Sequence, residues 1–342
     1  MDTALAIVWV KFAACAVLIA FSGSRLSRYG DVIADKTGLG GVWIGLMLMA
    51  TVTSLPELVT GVSAVVLADA PNIAVGNVLG ACVINLTMIV LLDLLSREES
   101  IYTRVGQGHI LAAAFGLTMI GFVGFSVLFA QNDRAFTLGT IGPYTPLIAV
   151  LYLAAVRSVF YFERRQRAAA TQAGAERYPD ITLAQAATRY AAASLIVIAV
   201  GIWLPYVGQE LARATGWQET FVGTLFIAFA TTLPEIVVTV AALRIGAVDL
   251  AVSNLFGSNL FNILIIAIDD IVYLKGPLLS HVSGVHAVSA LSAVMMSGVA
   301  IIGLFYRPAQ RVFHAVGWTS LLLLSLYLLN AFFLYLYGGG RT

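Results

Sequence analysis

The stretch "TSLPELVTG", residues 53–61, sets a proline and a glutamate side by side within a long apolar run, and "TTLPEIVVT", residues 231–239, does so again. A proline inside a helix has no amide hydrogen and clashes with the carbonyl four residues back. Pro56 therefore loosens the backbone around Val52 and Thr53, and Pro234 does so around Ala230 and Thr231. In hydrocarbon a freed carbonyl persists only where protein buries it or where it lines a wet cavity. Breaking two apolar helices beside a carboxylate prepares a polar place inside a membrane.

The rest of the chain supports the membrane. Its 342 residues are 60% hydrophobic and 11% charged, whereas a soluble domain carries about 25% charged residues. Ten apolar stretches follow one another at 4–23, 40–68, 72–95, 108–130, 138–160, 188–209, 218–243, 249–273, 284–305 and 312–337. At about 20 residues each they suit a hydrocarbon core of about 30 Å. The expectation is an all-α membrane protein of ten transmembrane helices. The N-terminal stretch lacks a small-residue cleavage site and reads as a first span. Cys15 and Cys82 fall inside apolar segments and read as packing residues.

The longest polar interruption, residues 162–185, divides the spans five and five. This gives a first repeat over 1–161, a linker over 162–187 and a second repeat over 188–342. With the N-terminus outside, the inward loops hold twelve basic residues, from Arg25 to Arg311, against four outward (Arg134, Arg213, Lys275 and Arg341). Cytoplasmic loops are the Lys- and Arg-rich ones, so both termini are expected outside a cell's inner (plasma) membrane, with the linker cytoplasmic. The lipid bilayer is the expected partner; nothing points to nucleic acid.

The two proline–glutamate blocks extend into one another's likeness. Pro56 and Glu57 match Pro234 and Glu235; after a one-residue shift, Asn77, Gly80 and Asn85 match Asn254, Gly257 and Asn262, and Asp93 matches Asp270. Chance similarity of apolar helices would share Leu and Val, not these residues at this spacing. Five spans separate the copies, so the second enters the membrane from the opposite side, the inverted-topology layout of many secondary transporters.

Glu57 lies one helical turn after Thr53, and Glu235 one turn after Thr231, so each carboxylate shares a face with a hydroxyl and with loosened carbonyls. These hard oxygen donors suit calcium, sodium or magnesium. A plain kink with a tied glutamate is the alternative. One ionised side chain at mid-span costs about 2.5–3.5 kcal/mol, and two at matched depths roughly double that. The following helix carries Asn77, Ala81 and Asn85 at four-residue spacing, and its copy carries Asn254, Ser258 and Asn262. Each set forms one polar stripe, with interhelical amide bonding as the plainer role for its asparagines. Gly80 and Gly257 beside the stripes would let another helix come close.

"VTSLPE" with "GNVLGACVIN", and "ATTLPE" with "SNLFGSNLFN", resemble the paired alpha-repeats of the calcium/cation antiporter superfamily, particularly its sodium/calcium exchanger branch. The resemblance implies calcium held by Glu57 and Glu235 with the carbonyls of Thr53 and Thr231. It implies one sodium site at the Ala228 carbonyl, Thr231 and Ser258, and a mirror site at the Ala50 carbonyl, Thr53 and residue 81. Asn85 and Asn262 would complete the ring, with Ser54 and Thr232 supporting the glutamates. Ala81 departs from the family's usual serine, Val52 and Ala230 from its glycine, and Asn262 from the aspartate of some relatives.

Sodium-driven calcium exchange is the expected function, with transported calcium and sodium, or protons in their place, and no cofactor. Proton/calcium exchange is the alternative. A cation channel is disfavoured by the apolar span ends, and an enzyme by the absence of a nucleophile–base pair or cofactor fingerprint. Asp93, Asp269 and Asp270 near helix ends read as structural caps, with lining an ion vestibule as the alternative. His109, His281, His286 and His314 read as interfacial.

Overall fold

The computed structural model describes residues 3–36, 50–96, 99–106, 108–131, 137–167, 178, 180–308, 310–312 and 316–338. Lipid offers no hydrogen bonds to the backbone, so an apolar chain satisfies its own amides by coiling. The helices are α1 (Thr3–Lys36), α2 (Leu55–Val66), α3 (Pro71–Leu95), α4 (His109–Ala130), α5 (Tyr144–Arg167) and α6 (Leu183–Thr215). They continue with α7 (Glu219–Thr231), α8 (Leu233–Arg244), α9 (Val248–Val272), α10 (His286–Tyr306) and α11 (Trp318–Gly338). Among the described residues eight helices are long and apolar enough to cross a membrane. The α7–α8 pair, bent by 45° at Thr232, makes a ninth. The expected second span begins at 40, and its first ten residues lie outside the described ones.

Four helices depart from their expected boundaries for physical reasons. α1 and α6 run past their apolar stretches because their polar ends are held. Tyr178 donates to Asp31 at 2.6 Å, and Thr182 and Gln185 cap α6 reciprocally at 3.2 Å. Gly216 ends α6 at φ 75°, a conformation glycine adopts without strain. α5 starts at Tyr144 because a tight turn bridging Leu138 and Ile141 occupies the residues before it. α11 starts at Trp318, after a small antiparallel pair, β1 (Arg311–Val312) and β2 (Val316–Gly317). The linker expected over 162–187 is narrowed from both sides by α5 and α6.

Packing follows a repeat-like rule in which each helix leans on the other half of the chain. α4 and α5 pack on α9, and α10 and α11 pack on α3. α1 packs on α8, and α6 on α2. α3 and α9 are thereby enclosed along most of their length, while α1, α5 and α11 turn large apolar side chains such as Val10, Leu153 and Phe332 outward. α1 and α6 also lie along one another and are joined by Lys11 and Glu210 at 2.6 Å. Cys15 and Cys82 are free, buried packing residues.

Two of the three helix-end aspartates are caps. Asp93 accepts from Ser100 and the Ile101 amide at 3.1 Å and from the Gly317 amide and Ser320 at 2.7 Å, tying the end of α3 to the start of α11. Asp270 accepts from Tyr144 at 2.5 Å, the Leu278 amide at 2.6 Å, the Gly142 amide at 2.8 Å and Thr145, tying the end of α9 to the start of α5. Asp269 makes no such bonds, which corrects its reading as a cap. The interfacial reading of the histidines is corrected at two positions. His109 is buried between Asp249 (2.9 Å) and Ser253 (3.1 Å), and His286 is buried against Asn72 at 3.2 Å. Both open a helix and fill an interhelical seam. His281 is exposed, and His314 lies outside the described residues.

Replacing Asp270 by Ala strands several buried donors, each worth about 1–3 kcal/mol when unanswered. Thermal unfolding of the detergent-solubilised Asp270→Ala protein should fall by several degrees, while Asp69→Ala, at an exposed ion pair with Lys275, should leave the transition in place. An unmoved transition in the first variant would refute the capping role.

Candidate functional site

Pro56 and Pro234 each occupy the second position of a helix, where a missing amide hydrogen does no harm. The turn before each is closed by Ser54 N to Ala50 O (3.1 Å) and by Thr232 N to Ala228 O (3.0 Å). Proline thus restarts the helix instead of only kinking it, and the next residue, Glu57 or Glu235, falls in the first turn of the new helix. That position places a carboxylate at the positive end of a helix dipole. Both glutamates are fully buried.

The halves then exchange hydrogen bonds. Ser54 donates to Glu235 Oε1 at 2.9 Å, and Thr232 donates to Glu57 Oε1 at 3.2 Å. Each broken helix supplies the carboxylate and also the hydroxyl that holds its opposite number, so the two acids converge where the breaks cross. One oxygen of each, Glu57 Oε2 and Glu235 Oε2, is buried without a hydrogen-bond partner. Asn85 Oδ1 and both amide atoms of Asn262 are also unpartnered.

Around this centre the threonines point to the polar stripes. Thr53 donates to the Ala50 carbonyl at 3.1 Å and lies 3.4 Å from Ser258 and 3.5 Å from Asn254. Thr231 reaches Asn77 at 2.8 Å and the carbonyls of Ile227 and Ala228 at 3.2 Å. Thr232 also donates to the Ala228 carbonyl at 2.7 Å. The hydroxyl of Ser258, which the resemblance groups with Thr231, lies 3.4 Å from Thr53 of the other half. The reason is the packing rule of the fold, which presses each break against the other half's striped helix. Asn77 Nδ2 donates to the Glu57 carbonyl (3.3 Å), and Asn254 Nδ2 to Thr239 (3.3 Å).

Sequence reading missed two features. Asn259 accepts from Asn85 at 3.0 Å and donates to the Cys82 carbonyl at 3.4 Å, stitching α9 to α3. It stands inside the quoted motif but off the four-residue stripe. Gly23 of α1 abuts the Pro234 ring, and Gly201 of α6 abuts Val59. These glycines carry the same offset as Glu57 and Glu235, and that offset is the signal that could have found them. Gly80 lies against the Thr224 carbonyl and Ala228 of α7, and Gly257 against Ala50. The α7 stretch that Gly80 meets, Val222–Ile227, is π-helical, a feature frequent at functional sites.

A family model described as sodium/calcium exchanger protein matches residues 7–162 and 187–336. The inner membrane protein YrbG of Escherichia coli (strain K12) is 27% identical over 252 residues, covering 73% of this chain and 75% of that protein. The sodium/calcium exchanger MaX1 of Methanosarcina acetivorans is 28% identical over 264 residues, covering 70% of this chain and 75% of that protein. The crystal structure of an H+/Ca2+ exchanger, CAX, superposes with a TM-score of 0.70 over 97% of this chain and 82% of that one, at 15% identity, a likeness of fold.

Gly80→Ala should destabilise the protein more than Gly257→Ala. At 80 the added methyl meets a backbone carbonyl, whereas at 257 it lies 3.0 Å from a side-chain methyl. Thermal unfolding of the two variants checks the order; equal transitions would show that α3 and α7 do not depend on their close approach.

Proposed function

The chain belongs to the sodium/calcium exchanger protein family, and from that membership we propose that it is a secondary active antiporter moving sodium against calcium by alternating access. The observation that carries this reading is the pair of buried glutamates, each held across the halves by one oxygen and leaving the other without a partner. The donors gathered there are carboxylate, hydroxyl, amide and carbonyl oxygens, which suit hard cations. One calcium ion neutralises both carboxylates, and so do two sodium ions. Because the same oxygens serve either load, binding one excludes the other, and exchange follows.

In this reading calcium sits between Glu57 and Glu235, with the carbonyls of Thr53 and Thr231, inside a ring completed by Asn85 and Asn262. Asn77 and Asn254 brace the broken helices, and Ser54 and Thr232 position the acids. The contacts support one sodium position at the Ala50 carbonyl, Thr53 and Ser258. They support a second at the Ala228 carbonyl and Thr231 beside the first half's stripe. Ala81 belongs to that stripe and offers no hydroxyl, so the second position is the weaker.

The proposed layout is ten spans in two inverted five-helix repeats, 1–161 and 188–342, joined by a cytoplasmic linker over 162–187, with both termini outside the cell's inner membrane. Alternating access is assigned to the α1–α6 pair, which touches the broken helices through Gly23 and Gly201. A glycine contact is smooth, so the pair slides across α2 and α8 without interlocked side chains to lift.

Radiocalcium uptake into proteoliposomes distinguishes the driving ion. Uptake should follow an imposed sodium gradient; uptake following only a pH gradient would replace sodium by protons. Glu57→Gln and Glu235→Gln should each reduce exchange to the level of protein-free vesicles while eluting as folded protein on size exclusion. Retained flux in either would remove the paired-acid site. Ala81→Ser should lower the sodium concentration that half-saturates exchange, and an unchanged titration would discard the second sodium position.

A further inference from the structure

Asp269 is the one helix-end aspartate described above that holds nothing. Its side chain is fully buried, and neither carboxylate oxygen has a hydrogen-bond partner. Its neighbour Asp270 takes the donors at the start of α5 and of the turn after α9, so capping does not explain two adjacent acids. Repeat symmetry does not explain it either. The equivalent position in the first half is Leu92, a buried packing residue.

Its surroundings lead back to the centre. Asp269 packs on Gly61 of α2, where a Cβ would lie 2.5 Å from Oδ2 and 3.0 Å from Oδ1. Gly61 is one turn beyond Glu57 on the same face, about 6 Å along the axis. On α9, Asp269 lies two turns beyond Asn262, also on one face. The unpartnered polar atoms Glu57 Oε2, Asn262 Oδ1 and Nδ2, Thr60 Oγ1 and the Asp269 carboxylate thus occupy successive levels of α2 and α9. Both helices end on one membrane face, where Lys275, just past α9, pairs with Asp69, just past α2, at 2.7 Å.

We infer that Asp269, with Gly61 leaving room for its carboxylate, forms a separate sodium site between the paired glutamates and the face where α2 and α9 end. A carboxylate inside a membrane segment marks an ion path or a partnered charge, and no partner is present among the described residues. Its single charge matches a monovalent cation and leaves calcium half unanswered. A proton would cancel the charge yet leave a buried hydroxyl and carbonyl unpaired, whereas a sodium ion carrying water satisfies both oxygens. The charged groups along its elements are Glu57, one turn inward on α2, Asp270, turned to α5, Asp249, at the far start of α9 against His109, and the Asp69–Lys275 pair beyond the helix ends. The site's place on an exchange path rests on the proposed function; its occupancy does not.

Thermal unfolding of the full chain in detergent, calcium chelated, in sodium chloride against choline chloride at fixed pH, reads occupancy without transport. In a Glu57→Gln/Glu235→Gln background sodium should still raise the transition, because ligand bound to the folded state stabilises it. Adding Asp269→Asn should abolish that rise, and Gly61→Ala, which intrudes beside the carboxylate, should weaken it. Gly61→Ala carries the test if Asp269→Asn does not fold. In proteoliposomes Asp269→Asn alone should raise the half-saturating sodium several-fold with calcium affinity kept. Sodium stabilisation that survives both substitutions, or that follows pH in choline with no sodium effect, would overturn the inference. Sodium stabilisation lost with Asp269 in a protein without sodium-driven calcium flux would sink the exchange reading and keep the site.

Discussion

The structure turns on a reciprocal bond: Ser54 of one half holds Glu235 of the other, and Thr232 holds Glu57. A carboxylate within hydrocarbon is held by a donor, a partner charge or an ion path, and for Glu57 and Glu235 the side-chain donor comes from the other half. Neither broken helix is complete alone. The demand for that exchange explains why α3 and α9 are enclosed, why Gly80 admits the backbone of Thr224 and Gly257 the side chain of Ala50, and why each outer helix leans on the other half. Proline makes the arrangement possible. By restarting a helix in mid-membrane it supplies a second helix N-terminus where the charge sits, instead of leaving the acid on the flank of an unbroken span.

What could be read from the residues was whatever recurs along the chain. Proline beside glutamate, asparagines at four-residue spacing and the doubling of both are one-dimensional patterns, and the structure places those residues together. The partners within the site were not legible in the same way. Ser258 and Thr231 belong to neighbouring spans of one repeat, so sequence order pairs them, yet Ser258 faces Thr53 because consecutive helices diverge where the halves interleave. Asn259 hid beside the stripe for a related reason. A residue one step off a helical face is neutral in a periodicity argument, while a third helix packed on that side makes it a stitch.

Helix ends were legible as charges and not as lengths. Asp93 and Asp270 read as caps, although part of their donor sets comes from as far away as Gly317 and Gly142, while the Thr182–Gln185 box starts α6 five residues before the apolar stretch expected from 188. The same long reach separates Asp269 from Asp270. Adjacent residues on a helix point about 100° apart, so one faces a loop full of donors and the other faces Gly61, and nothing in the dipeptide tells which is which.

Three departures from repeat symmetry fall on or next to the residues proposed to hold ions. Ser258 stands against Ala81, Asp269 against Leu92 and Thr239 against Gly61, whereas the acids, the prolines, the capping aspartates and the sliding glycines are matched. In the proposed carrier, matched residues would make the two access states alike in energy, which alternating access requires if neither is to trap the carrier. A two-fold symmetric exchanger would offer identical sites to both faces, and the gradients alone would set its traffic. In the proposed carrier, the hydroxyl missing at Ala81 and the carboxylate added at Asp269 make the ion paths of the two halves chemically different.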